Sequence, residues 1–107
     1  MGAVFCVVLL PLRGSGGSYM KLIFCKHCED IYKLSFEKHT CACGMTWGYY
    51  EEDGLHAHYG GETAVPMGIS NLSLIKAIVL QPATGTGERF EAFVIPKACS
   101  TMLFESE

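Results

Sequence analysis

Four cysteines stand in two close pairs in the first half of the chain, and their spacing predicts a metal site. Cys25 and Cys28 are separated by two residues, Cys41 and Cys43 by one, and twelve residues lie between the pairs. A turn of this length can direct both of its sulfurs at one point, and two such turns supply the four thiolates of a tetrahedral zinc site. Gly44 follows the second pair, where a positive φ helps the chain turn back. Because four thiolates leave no open position for substrate, we expect one structural Zn²⁺.

Other uses of cysteine stay open at this point. Six cysteines in a short chain are compatible with a disulfide framework or with a free redox pair. Cys6 and Cys99 lie far along the sequence from the two pairs, and a disulfide framework does not need such close pairs. His27 and His39 flank the pairs, and His39 could replace Cys41 as a ligand. We prefer zinc on four thiolates, which implies a reducing, cytoplasmic setting.

Two further groups of residues could carry chemistry. His56 and His58 alternate on a predicted strand and could direct two imidazoles at a second metal ion, but no third ligand is evident, so exposed strand histidines are preferred. The carboxylates of residues 51–53 are typical of a solvated turn. Thr-Gly-Thr-Gly at residues 84–87 follows a helix and precedes a strand, the reverse of a phosphate-binding loop, and lacks its lysine. We therefore expect no enzyme activity.

Composition limits the chain to one small domain. It has 107 residues, of which half are apolar and 18% are charged, and these proportions are typical of a globular protein. The net charge is -3, and zinc on four thiolates would make it about -5. An acidic balance disfavours general nucleic-acid binding, because that function needs a basic surface.

The elements that must position these residues are mostly short strands. We expect the first two predicted strands to form a hairpin with the first cysteine pair at its tip. We expect the next two to form a second hairpin, closed by a turn at Asp53-Gly54. The fifth is expected at a sheet edge, because Pro66 cannot donate a backbone hydrogen bond to a ladder. The predicted strands are residues 21–24, 30–34, 46–50, 55–59, 64–69 and 89–95.

One helix is predicted after the fifth strand. Ser70 or Asn71 can cap its start, Pro82 follows its end, and apolar residues recur between them at helical spacing. These apolar residues are Leu72, Ile75, Ile78 and Val79.

Together these patterns predict a small α+β fold, mostly β, in which zinc-ribbon hairpins are extended by further strands and one short helix. We expect a single domain at residues 20–100 and a tail at residues 101–107. Residues 1–19 hold an apolar run and a Gly/Ser-rich linker, and are expected to be a disordered leader or the result of a mis-assigned start. The apolar run is too short to span a bilayer. A membrane-associating leader is the less favoured alternative, and we expect no membrane partner.

The stretch from Met20 to Cys99 resembles small uncharacterised bacterial and phage proteins that begin with a zinc ribbon. The resemblance rests on the two cysteine pairs, the turn at residues 52–54 and the segment Arg-Phe-Glu-Ala-Phe-Val-Ile-Pro at residues 89–96. Such turns often carry proline after the first cysteine, where Lys26 stands here. The resemblance implies the metal, the fold and a domain that begins at Met20, but no activity.

Two function classes fit these expectations. The favoured one is a non-enzymatic zinc-binding module that presents loops or a strand edge to a protein partner. The alternative is a nucleic-acid-binding zinc ribbon in transcription or phage–host regulation, which would use lysines near the metal and stacking on Trp47, Tyr49 and Tyr50. A metal hydrolase using the two strand histidines is a third and weaker alternative. Acidic residues close in sequence offset the positive charge of the lysines near the metal, so the local surface is only weakly basic. The lysines are Lys21, Lys26, Lys33 and Lys38, and the acidic residues are Glu29, Asp30 and Glu37.

Overall fold

The computed structural model describes residues 19–106, which fold into two small sheets and one helix, a mostly β arrangement of the α+β class. The predicted fold class is therefore confirmed. The leader was expected at residues 1–19; residues 1–18 lie outside the described residues, and Tyr19 is the first residue of the first strand. The elements are β1 (Tyr19–Cys25), β2 (Ile31–Lys33), β3 (His39–Thr40), β4 (Trp47–Tyr50), β5 (Ala57–Gly60), β6 (Ala64–Ser70), α1 (Asn71–Val79), β7 (Ala92–Val94) and β8 (Met102–Phe104).

The first sheet has the strand order β2-β1-β6-β7, and all its neighbours are antiparallel. The β1–β2 hairpin was predicted and is confirmed, with Ile23 opposite Tyr32. The edge position predicted for residues 64–69 is wrong, because β6 lies between β1 and β7. Pro66 is tolerated there because its carbonyl, which accepts from the Ile95 amide at 2.9 Å, faces the side of β7. Its missing N–H therefore falls just beyond Val94, where β7 ends.

The second sheet has the order β3-β4-β5-β8. The β4–β5 hairpin is antiparallel, as predicted, whereas β8 runs parallel to β5 and pairs Met102 with Ala57. Residues 101–107 were expected to be a tail, but residues 102–104 of it form β8, and Met102 is only 1% exposed, so this part of the segment packs in the folded domain. Its three-residue strand has no alternating pattern of its own, and only its packing against β5 identifies it.

The core fills the space between the two sheets. Ile23 and Leu34 from the first sheet meet Ala57, Tyr59 and Met102 from the second, joined by Ile95 and Cys99. Gly48 lies at a close approach between the sheets, because a Cβ there would lie 2.8 Å from Leu34 Cδ2. A larger residue at position 48 would therefore force the Leu34 side chain to move.

Lys21 closes this space at one end. It is only 3% exposed, its ammonium donates to the Leu55 carbonyl, and it lies 5.5 Å from the ring centroids of both Tyr19 and Tyr50. The backbone carbonyl and the two rings replace part of the hydration that the cation loses on burial. Because side chains alternate along a strand, Lys21, Ile23 and Cys25 share the inward face of β1.

Helix α1 begins as predicted but packs differently from most helices of globular domains. Ser70 is its N-cap and accepts from the Ser73 amide at 3.3 Å. Only Ala77 is buried. The apolar residues whose spacing predicted the helix face solvent, with exposed fractions between 57% and 76%: Leu72, Ile75, Ile78 and Val79. Within residues 19–106, no helix is long and apolar enough to cross a membrane.

An imidazole between two carboxylates fixes β8 to the β4–β5 hairpin. His58 Nε2 lies 2.5 Å from Glu51, Nδ1 lies 2.5 Å from Glu105, and the ring stacks on Tyr49. The hydrogen bond to Glu51 raises the pKa of His58; burial opposes this shift, and Glu105 adds to it. Each nitrogen lies close to a carboxylate, so the positively charged ring suits the site best.

We expect His58 to make stability depend on pH. Its folded-state pKa is raised above the ordinary value of 6.5, so its contribution is complete below pH 6.5 and is lost as pH rises through the folded pKa. His58→Gln should cost only about 1 kcal/mol of unfolding free energy just below pH 6.5, because both carboxylates are partly exposed to solvent. Denaturant unfolding at saturating zinc, measured from just below to well above pH 6.5, should show the gap between wild type and variant closing.

Glu105→Gln should remove part of the same gap, because one of the two carboxylates remains. A gap between wild type and His58→Gln that stays constant across this pH range would contradict the assignment of the protonated ring.

Candidate metal centre

The first cysteine turn joins β1 to β2. Cys25 ends β1, its amide donates to the Asp30 carbonyl at 2.9 Å, and its carbonyl accepts from the Glu29 amide at 2.7 Å. Glu29 has φ of 63°, an uncommon value for a residue with a Cβ, and it reverses the chain after Cys28. The tight turn therefore brings the sulfurs of the first pair to one side of the hairpin tip.

The second cysteine turn joins β3 to β4. The Gly44 amide donates to the Cys41 carbonyl at 3.0 Å, and the Cys41 amide donates to the Thr46 carbonyl at 3.1 Å. Gly44 has φ of 79°, as its position predicted, and a Cβ there would meet no atom within 4 Å. Glycine is therefore needed for its backbone conformation and not for lack of space.

The two turns bring all four sulfurs to one point. The ligand atoms of the four cysteines lie within 4.8 Å of one another. Cys25 Sγ is 3.8 Å from Cys43 Sγ, which is 3.5 Å from Cys41 Sγ. Four sulfurs around a zinc ion at about 2.3 Å would be separated by about 3.8 Å. The spacing of the cluster, Cys25, Cys28, Cys41 and Cys43, therefore suits a tetrahedral metal ion.

The competing uses of cysteine fit the structure less well. All five cysteines within residues 19–106 are free thiols, and the sulfur separations in the cluster are far beyond a disulfide bond of about 2.05 Å. Neither His27 nor His39 belongs to the described cluster, so the replacement of Cys41 by His39 finds no support. Cys99 is buried in the core beside Thr101.

A second layer of hydrogen bonds holds the sulfurs in place. The Thr46 amide donates to Cys41 Sγ at 3.3 Å, and the Thr63 hydroxyl lies 3.3 Å from Cys25 Sγ. Asp30 accepts from the Ala42 amide at 2.9 Å and so ties one turn to the other. Sequence reasoning missed these three partners. The closeness of Thr46 to the second pair was a usable signal, whereas Thr63 comes from the distant β5–β6 turn.

The electrostatics of the cluster favour a cation. Burial works against ionisation of Cys41, but hydrogen bonds from Thr46 and the neighbouring Cys43 and Cys25 together outweigh it and lower the pKa of that thiol to about 5. A backbone hydrogen bond from Met45 favours the Cys43 thiolate, yet burial and the neighbouring sulfurs together raise its pKa to about 12. Without a cation the sulfurs therefore cannot all ionise near neutral pH. A divalent ion would neutralise part of their charge and permit four thiolates.

The two strand histidines do not converge on one ion. His56 Nδ1 contacts Asp53 at 2.6 Å, whereas His58 is held by Glu51 and Glu105. Glu51, Asp53 and His56 do lie close enough to share a cation. These three side chains are partly exposed, and their polar atoms already form hydrogen bonds with other protein groups. We therefore interpret them as part of a hydrogen-bonded turn.

Comparisons with protein-family models, curated proteins and solved structures gave no match for this chain.

We expect native mass spectrometry of the purified protein to show one zinc per chain. Cys28→Ser should lose the ion, because three thiolates hold zinc less tightly than four. Cys99→Ser is the matched control and should retain it, since Cys99 lies in the core away from the cluster. Full zinc retention by a Cys25→Ser/Cys41→Ser double variant would overturn this ligand set.

Proposed function

We propose that the chain is a non-enzymatic zinc-binding module that acts through protein–protein interaction. One structural Zn²⁺ would be held by Cys25, Cys28, Cys41 and Cys43. The observation that carries this proposal is the convergence of four sulfurs at tetrahedral spacing. Four protein ligands complete the coordination of zinc, so the ion would stabilise the fold and would offer no position to a substrate.

A groove beside the second cysteine turn is the best candidate for the partner's contact surface. It has a volume of about 550 Å³ and lies on the second sheet. Met45 and Phe104 line it and are 45% and 48% exposed, Trp47 forms part of its wall, and Lys38 and Glu62 contribute charge. Methionine and aromatic side chains bordered by charge are typical of protein interfaces.

The metal and this groove are mechanically connected. Met45 follows directly on the Cys41–Gly44 turn, and the Thr46 amide donates to the Cys41 sulfur at 3.3 Å. A metal ion on that sulfur would therefore fix the backbone that presents Met45. Partner binding should depend on zinc even though the partner would not touch the ion.

Trp47 is held firmly enough to act as an anchor. Its indole lies over Gly60 of β5, where a Cβ would come within 2.5 Å of the ring. Lys38 Nζ lies 4.5 Å from the centroid of the indole. A large aromatic side chain that is already ordered loses little entropy on binding, which suits a central interface residue.

The same residues supply the one specific argument for nucleic acid. Lys38 at the Trp47 ring, with Tyr49 nearly parallel to it at 6.0 Å, could stack and neutralise a nucleotide. Glu62 shares the groove, however, and the chain carries a net charge of -3. A binder that releases counterions needs several phosphate contacts at once. Protein is therefore the favoured partner class.

Affinity capture with the full chain tests this proposal. We expect a protein partner that survives nuclease treatment, is identified by mass spectrometry, and binds again when purified. Met45→Asp should abolish that binding, because it places a charge in the apolar groove. Phe36→Asp is the matched control, since Phe36 is 65% exposed but outside the groove, and it should bind as wild type does. Removal of zinc should have the same effect as Met45→Asp.

Two results would contradict the protein-partner proposal. One is capture that nuclease abolishes. The other is fluorescence anisotropy with random DNA or RNA that gives a dissociation constant tighter than the non-specific range of roughly 10⁻⁴–10⁻⁶ M at physiological salt. Either would move the function to nucleic acid, with Lys38 and Trp47 in the contact surface.

A further inference from the structure

Helix α1 exposes more apolar surface than is usual for a surface helix of a monomeric domain. Leu72, Ile75, Ile78 and Val79 are between 57% and 76% exposed, and the following Leu80 is 50% exposed. Only Ala77 of the helix is buried. A helix that is apolar on most of its circumference is normally covered on more than one side. Contiguous exposed apolar side chains of this kind mark an interaction surface.

The segment after the helix extends this surface. A groove of about 380 Å³ lies between the second half of α1 and residues 82–88, and a second of about 490 Å³ lies along Lys76 and residues 88–91. Phe90 borders both grooves and is 45% exposed. We define the α1 surface as the exposed apolar residues of the helix together with Phe90 and the charged residues around it.

The charged residues around the α1 surface are evenly divided by sign. Lys76 and Arg89 are positive, and Glu88 and Glu91 are negative, and all four line the same groove. Within residues 19–106 none of these four side chains forms a salt bridge. A partner of one charge sign would match only half of them. A surface that carries both signs can match itself about a two-fold axis, where each positive group meets a negative one.

We propose that the α1 surface is an isologous interface between two copies of this chain. The net charge of -3 makes two copies repel each other overall, whereas the four charges at the α1 surface sum to neutral and add no such repulsion. A nine-residue helix is only about 13 Å long, so α1 alone falls short of the roughly 800 Å² per partner of a standard interface. Residues 82–91 must therefore contribute as well.

This interface is separate from the proposed partner groove. The α1 surface follows β6 of the first sheet, whereas Met45 and Trp47 belong to the second sheet. Self-association is measured on the purified chain alone, and partner binding is measured with Met45→Asp. Failure of one proposal therefore leaves the other to be judged by its own experiment.

Sedimentation velocity of the zinc-loaded full chain tests the dimer. At about 100 μM, the wild type should sediment as a dimer with twice the 11.7 kDa mass of one chain. Ile75→Lys should sediment as a monomer, because two lysines would be buried against each other. Ile31→Lys is the matched control, since Ile31 is 48% exposed on β2, and it should remain dimeric. A monomeric wild type, or a dimeric Ile75→Lys, would refute the proposal.

A charge exchange tests the two-fold arrangement without touching the apolar residues. One variant carries Lys76→Glu with Arg89→Glu, and the other carries Glu88→Lys with Glu91→Lys. Each alone should be monomeric, because like charges then face each other, while an equimolar mixture should form the heterodimer. Circular dichroism and zinc content confirm that each variant is folded. A mixture of folded variants that stays monomeric, or variants that dimerise alone as wild type does, would overturn the two-fold interface.

Discussion

The fold depends on the junction that the four cysteines make between two separate sheets. The turn that holds Cys25 and Cys28 belongs to the first sheet, and the turn that holds Cys41 and Cys43 belongs to the second. A metal ion at their meeting point would close the space between the sheets at one end. Binding free energies of about 10 kcal/mol or more are typical of structural zinc, which matches the whole stability of a small domain.

The inward face of β1 shows how the rest of the core depends on that junction. Cys25 lies at the metal end, Ile23 packs in the middle, and Lys21 closes the opposite end beneath Tyr50. Gly48 brings the second sheet within reach of Leu34. Few apolar side chains are fully buried between sheets this small. We therefore infer that the cysteine cluster and Lys21, at the two ends, fix the distance between the sheets as much as the apolar core does.

Sequence reasoning succeeded where the signal was local. The spacing of the cysteine pairs, the two hairpins around them and the Ser70 cap each depend on a few neighbouring residues, and the structure reproduces the hairpins, the cap and the gathering of the four sulfurs. It failed where distant residues decide. Pro66 lies inside a sheet because the short β7 ends beside it, and Thr63 reaches Cys25 across 38 residues. The exposure of the apolar face of α1 could not be predicted from the sequence either. Periodicity shows that a helix has an apolar face, but it does not show what covers that face.

Residue-resolved hydrogen exchange before and after zinc removal tests the central claim most directly. If the metal joins the sheets, its removal should raise amide exchange in β1 and β5 together, along with the cysteine turns, and added zinc should restore protection in both sheets. The Cys99→Ser variant should behave as wild type does. Increased exchange confined to residues 26–30 and 41–46, with β1 and β5 still protected, would contradict the claim and show that the core between the sheets is sufficient on its own.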